Sequence, residues 1–137
     1  MCIRDRVYRV LVPGGTFVLV DSTVPEGEEG EFFNRFEQLR DPSHVRSLTI
    51  GEWTGLLEDA GFAVGATETF TKVHGFAEWT ARSRTSVEDI AELQRMLLRA
   101  PASTRERFTV VTDPQDPGTL VSFTDRKTLF VATRPAR

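Results

Sequence analysis

Val10-Leu-Val-Pro-Gly-Gly-Thr-Phe-Val-Leu-Val-Asp21 decides how this chain is read. Proline cannot continue a helix, so residues 7–12 read as a last helical turn stopped at Pro13. Gly14 and Gly15 then permit a tight turn, and residues 16–20 form an unbroken apolar and β-branched run ending at Asp21 and Ser22. A strand apolar at every position, rather than at alternate ones, suits a parallel sheet covered by helices on both faces. The stretch predicts an α/β protein in which residues 16–20 are buried on both faces.

Downstream, Phe32, Phe33, Phe36 and Leu39 recur at helical spacing behind the acidic start Glu28, Glu29 and Glu31, and this helix should end near Asp41-Pro42. Thr49 and Glu52 have the spacing of a capping box. Ile50, Trp53, Leu56, Leu57 and Ala60 follow on one helix face, and Gly61 stands where a left-handed cap is usual. Residues 62–70 alternate loosely as a strand near a sheet edge, with Val64, Ala66 and Phe70 inward and Thr67 and Thr69 outward. Residues 75–82 read as a short helix carrying Trp79, and Ser86 opens a longer one with Val87, Ile90, Leu93 and Leu97 on one face. A further short helix starts at Pro101 and ends at Phe108. The turn chemistry of residues 113–118 reverses the chain between extended segments 108–111 and 120–123, and residues 128–133 form a last strand.

Upstream, Met1 to Arg6 carries three charges without periodicity, so residues 1–6 are expected to be a non-native start and the helix before Pro13 to have lost its beginning. The 137 residues, 39% hydrophobic and 27% charged, suffice for one domain or part of one. Seventeen Lys and Arg against twenty Asp and Glu leave a formal charge of −3, without the basic excess that nucleic-acid binding requires. No apolar run reaches the roughly 20 residues of a membrane span and no signal-peptide core follows Met1, which predicts a cytoplasmic protein without membrane contact. The lone Cys2 cannot form an internal disulfide, and one Cys with two His provides no metal-ligand spacing.

The order of parts resembles the class I S-adenosylmethionine-dependent methyltransferases. Residues 10–21 are similar to the Pro-Gly-Gly, strand, Asp segment of that family. Trp53-Thr-Gly-Leu-Leu-Glu-Asp-Ala-Gly-Phe62 is similar to the helix leading into its sixth strand. Phe33-Asn-Arg-Phe-Glu-Gln-Leu-Arg-Asp-Pro-Ser-His-Val-Arg46 resembles a motif of a bacterial branch of the type 11 group, related to ubiquinone and menaquinone biosynthesis enzymes. The resemblance implies the C-terminal half of a Rossmann-like methyltransferase sheet: residues 16–21 as strand 5, 63–70 as strand 6, and 128–133 as an antiparallel strand 7 between them. It implies one domain part over residues 7–137, with residues 76–107 as a helical insertion over the active-site mouth. The family's glycine-rich turn after its first strand and the acidic residue after its second have no counterpart, since Gly14 and Gly15 precede a strand. No cofactor-binding residue is therefore carried over. The expectation is a fragment, inactive and without bound S-adenosylmethionine by itself, whose partner is the missing N-terminal half of the domain. The complete protein would methylate a small-molecule acceptor.

Four residues are candidates for the acceptor side. His44 is a possible base or ligand for a polar substrate group, because imidazole titrates near neutral pH; the alternative is a loop hydrogen bond. Arg46 can meet an anionic substrate group or pair with carboxylates and carbonyls. Asp21 lies at the C-terminal end of its strand, where open α/β sheets bind ligands, or caps the following turn. Trp79 lines an apolar pocket or fills the core. His74 reads as a surface-loop histidine. A second reading, of a different class, is a self-standing α+β ligand-binding or interaction domain with its helices covering a three-stranded sheet.

Overall fold

The computed structural model describes residues 3–136; Cys2 lies outside them. The elements run α1 Ile3–Val10, β1 Thr16–Thr23, α2 Glu28–Arg40, α3 Ile50–Asp59, β2 Ala63–Gly75, α4 Phe76–Arg82, α5 Val87–Arg99, α6 Ala102–Arg107, β3 Val111–Thr112 and β4 Leu120–Thr133. The sheet order is β1-β4-β2, with β3 pairing to β4. β4 lies antiparallel to β1 in a register running from Thr16 opposite Thr133 to Thr23 opposite Arg126. The last strand thus sits between the other two, as the family resemblance implies. Residues 3–6 are helical and continuous with α1.

The chain forms two compact units. One is built from segments 1–23, 48–70 and 126–137, the other from 24–47 and 71–125. In the first, Leu57, Phe62, Phe130 and Ala132 are buried, with Tyr8, Phe17, Leu19, Trp53 and Val64 packed against them. The capping box forms as its spacing predicts: Thr49 Oγ1 accepts from the Glu52 amide at 3.1 Å and Glu52 Oε1 from the Thr49 amide at 3.2 Å. At the other end of α3, the Phe62 amide donates to Leu57 and the Gly61 amide to Glu58, the Schellman pattern. Gly61 has φ +104°, and a Cβ there would meet the Tyr8 ring at 2.8 Å, so both backbone and packing require glycine.

The second unit buries Phe33, Phe36, Phe76, Trp79, Leu93, Leu97, Phe108, Leu120 and Phe123 together. Phe36 stacks on Trp79 with centroids 4.9 Å apart, and the Phe123 ring stands edge-on to both at 5.3 and 4.8 Å. The Ser86 side chain caps α5, and Leu93 and Leu97 face inward from that helix.

Several expectations are corrected. β1 is covered on one face only: Phe17 and Leu19 pack into the core, whereas Val18 and Val20 are 54% and 50% exposed. The second strand runs five residues past Phe70, which is exposed rather than inward, because Thr71 to Gly75 continue extended. Segments 120–123 and 128–133 are one strand. Residues 124–127 look like a polar interruption, but the extended backbone runs through them: Asp125 lies buried beside His74, and Lys127 Nζ donates to Ser22 Oγ. The inward positions of β4 change parity there, from Phe123 and Asp125 to Thr128, Phe130 and Ala132. Of segment 108–111, only Val111 is in a strand, because Phe108 caps α6 and Thr109 adopts a left-handed φ of +44°.

Candidate functional site

The connection from α2 to α3 is assembled by two short polar side chains. Asp41 ends α2, and its Oδ1 accepts from both the amide and the hydroxyl of Ser43, at 3.0 and 2.6 Å, an Asx turn that redirects the chain. The His44 amide donates to the Asp41 carbonyl at 2.9 Å. From within α2, Asn34 reaches across the loop. Its Nδ2 donates to the Ser47 carbonyl at 3.0 Å, its Oδ1 accepts from the Ser47 amide, and the same oxygen stands 3.1 Å from His44 Nε2. His44 is half-buried and Ser47 buried, while Val45 and Arg46 are exposed.

Ser43's hydroxyl first, and its amide second, hold the Asp41 carboxyl below the usual carboxylate range against an opposing effect of burial, with Arg40 and then His44 adding through space. A depressed folded-state pKa means that the Asx turn is intact at neutral pH and is lost as pH falls through that lowered value. The Ser43 amide proton, followed by NMR, should therefore titrate below the usual carboxylate range and become insensitive to acid in Asp41→Ala. A Ser43 titration at the ordinary carboxylate value would contradict this assignment.

The other candidates fall elsewhere. Trp79 is 2% exposed within the aromatic core, with the Arg40 guanidinium 4.3 Å from its ring centroid and Arg40 Nη1 donating to its carbonyl. Asp21 is exposed on β1, and its Oδ1 accepts from the Ser22 amide at 2.8 Å, a contact inside the strand, which runs on to Thr23. On the same strand, the Thr23 hydroxyl lies 2.7 Å from that of Thr128, which is 3.1 Å from that of Thr69.

His74, expected on a surface loop, is instead 6% exposed near the end of β2. Its Nε2 is 3.0 Å from Asp125 Oδ1, off the line of a hydrogen bond, and its ring stacks on Phe123 at 5.2 Å. A lone histidine beside Val73 carries no sequence signal of this pairing, because its partner lies 51 positions later. Nor does Asn34 carry one: it is a polar residue beside Phe33, ten positions before His44.

An apolar cavity of about 340 Å³ opens between α4 and α5, lined by Phe76, Thr80, Ile90, Gln94 and Leu120 among others. Gln94 Oε1 is held there by the Leu120 amide at 3.0 Å. Among the described residues, no group of three or more His, Cys, Asp or Glu could hold a metal ion, and no helix is long and apolar enough to cross a membrane.

No family model matches the sequence. Over 105 residues, 76% of this chain, it is 30% identical to the uncharacterised methyltransferase YcgJ of Bacillus subtilis. Over 80 residues it is 36% identical to the uncharacterised protein YafE of Escherichia coli. Among solved structures, the methyltransferase BH2331 of Bacillus halodurans superposes on 96% of the chain with a TM-score of 0.90 and 32% identity. In sequence and fold the chain is similar to methyltransferases. The crystal structure of YcgJ matches 98% of the chain, with a TM-score of 0.89 and 27% identity. The chain spans about half the length of these proteins: 42% and 39% of the curated relatives YcgJ and YafE, and 56% and 58% of the two solved chains. Its strand order, with the antiparallel β4 between β1 and β2, is the Rossmann-like methyltransferase arrangement.

Gly14 and Gly15 have no free amide to offer a cofactor. The Gly15 amide donates to Val12 at 2.8 Å and the Gly14 amide to Arg134 at 2.8 Å, so both donors are consumed in the turn before β1. A Cβ at Gly15 would lie 2.9 Å from the Val12 carbonyl oxygen, which makes glycine a requirement of the turn itself.

Proposed function

We propose that this chain is the acceptor-side part of a cytoplasmic methyltransferase of the type 11 group, whose complete form moves a methyl group from S-adenosylmethionine to a small-molecule acceptor. The observation that carries this reading is the match to two solved chains over nearly all of this one, at just over half of theirs. Cofactor binding is assigned to the half of the domain that lies outside residues 7–137, because both glycine amides of the Pro-Gly-Gly turn are already spent on the fold. Residues 76–107, which hold α4, α5 and α6, are read as the insertion over the acceptor.

Within this part, His44 is the group proposed to meet the acceptor's polar atom, on a loop held at both ends by Asp41 and Asn34. Arg46 and Asp21, both exposed, are further proposed substrate contacts. Trp79 acts through the core that supports the loop, where Arg40 at the end of α2 rests on its ring.

The test is to express the chain with the coding sequence that precedes it in the genome and to titrate both forms with S-adenosylmethionine by calorimetry. Saturable binding by the extended protein and none by the 137-residue chain is the expected result. Saturable binding by the short chain overturns the division of labour, and its absence from the extended protein overturns the methyltransferase reading. In the extended protein, His44→Ala should lower kcat about 100-fold, the usual scale of a positioned proton acceptor, with cofactor affinity unchanged. An unchanged kcat removes His44 from the reaction.

A further inference from the structure

We propose that Asn34 is the positioning residue of His44, fixing the tautomer in which Nε2 carries the proton and Nδ1 the lone pair; this rests on the acceptor-side reading of the loop. An asparagine amide is ordinarily ambiguous, because its oxygen and nitrogen can be exchanged without changing its shape. Here the backbone of Ser47 removes the ambiguity. Its amide must donate and its carbonyl must accept, and the Asn34 side chain faces both, so the oxygen is assigned to the amide and the nitrogen to the carbonyl. That oxygen is the atom 3.1 Å from His44 Nε2. An acceptor facing a ring nitrogen requires a proton on that nitrogen, and in the neutral ring the other nitrogen, Nδ1, is then acceptor only.

The consequence is a statement about the ligand. A molecule meeting neutral His44 at Nδ1 must bring a donor, a hydroxyl or an amine. A carbonyl, ether or carboxylate oxygen would set one lone pair against another. Asn34 is also in the right place to act as a rigid support rather than as a chance contact. It projects from the middle of a thirteen-residue helix whose neighbouring positions Phe33 and Phe36 are 1% and 0% exposed, so the amide is carried on a fixed core element. The loop it grips is short, and the grip on Ser47 from both sides sets where the imidazole stands.

The experiment is a long-range proton–nitrogen correlation of the His44 ring in the 137-residue chain, read on the neutral form of the ring. The expected result is a protonated Nε2 with a bare Nδ1, and an Hε2 signal that exchanges with water at least ten times more slowly than in Asn34→Ala. Asn34→Asp keeps an oxygen facing both Nε2 and the Ser47 amide and is expected to retain the slow Hε2 proton. A proton on Nδ1 in the unaltered chain overturns the proposal. So does an Hε2 exchange rate that is the same with and without the Asn34 side chain, or its loss in Asn34→Asp while the loop amides remain dispersed. No catalysis enters this measurement. A fixed tautomer together with full activity of His44→Ala in the extended protein would overturn the transfer role of His44 and leave the Asn34 assignment standing.

Discussion

Replacing Asp125 alone with alanine is expected to destabilise the second unit by about 1–3 kcal/mol, His74→Leu alone by less, and replacing both with leucine by less than the sum of the two. The two side chains are 3% and 7% exposed, and Asp125 Oδ1 stands 3.0 Å from His74 Nε2. Removing Asp125 leaves the buried imidazole without the carboxyl group beside it, which is the expensive outcome, whereas removing His74 leaves Asp125 with a further interaction. Removing both exchanges a polar pair for apolar contact with Phe123, whose ring already lies 5.2 Å from the imidazole. Urea denaturation, followed by the fluorescence of the buried Trp79, measures all three variants. Single losses that simply add in the double variant would show that the pair is not an energetic unit.

Phe36→Ala is expected to cost about 3–5 kcal/mol, the range for emptying a phenylalanine site in a close-packed core. Phe36 is 0% exposed and its ring meets Phe33, Trp79 and Phe123 at 5.8, 4.9 and 5.3 Å. The loss includes aromatic contacts worth about 0.5–1.5 kcal/mol beyond area burial for each well-placed pair. Phe70→Ala is the control, because that ring is 48% exposed and its removal should change stability by no more than about 0.5 kcal/mol. Equal losses at the two positions would contradict the assignment of the core to the face carrying Phe33 and Phe36. The same urea experiment reads both.

Much of the candidate site was legible from residue spacing, and the part that was not depended on reach across the chain. Asp41 followed by Pro42, Ser43 and His44 announces a helix end and a turn, and the structure has both. The role of Asn34 was not announced, because its three contacts lie ten and thirteen residues away and depend on how the loop folds back over α2. Trp79 illustrates the converse. Residues 75–82 have a helical pattern, but the burial of the tryptophan depends on Phe36, Phe123 and Arg40, which come from other elements.

By itself the sequence determined the features whose causes lie within about one helical turn. These are the Thr49–Glu52 capping box, the glycine stop at Gly61, the Ser86 cap, the tight turn before β1 and the helical spacing of Phe33 and Phe36. It also determined the antiparallel placement of the last strand, through resemblance of a whole order of parts. Tertiary structure alone decided that Val18 and Val20 stand exposed while Phe17 and Leu19 do not, that the polar residues 124–127 continue a strand, and that His74 is buried. The physical reason is the same in each case. A cap or a turn is stabilised by atoms the local chain brings together regardless of context, whereas burial is set by which distant surface arrives. For His74 that surface carries Asp125, and no pattern around residue 74 encodes it.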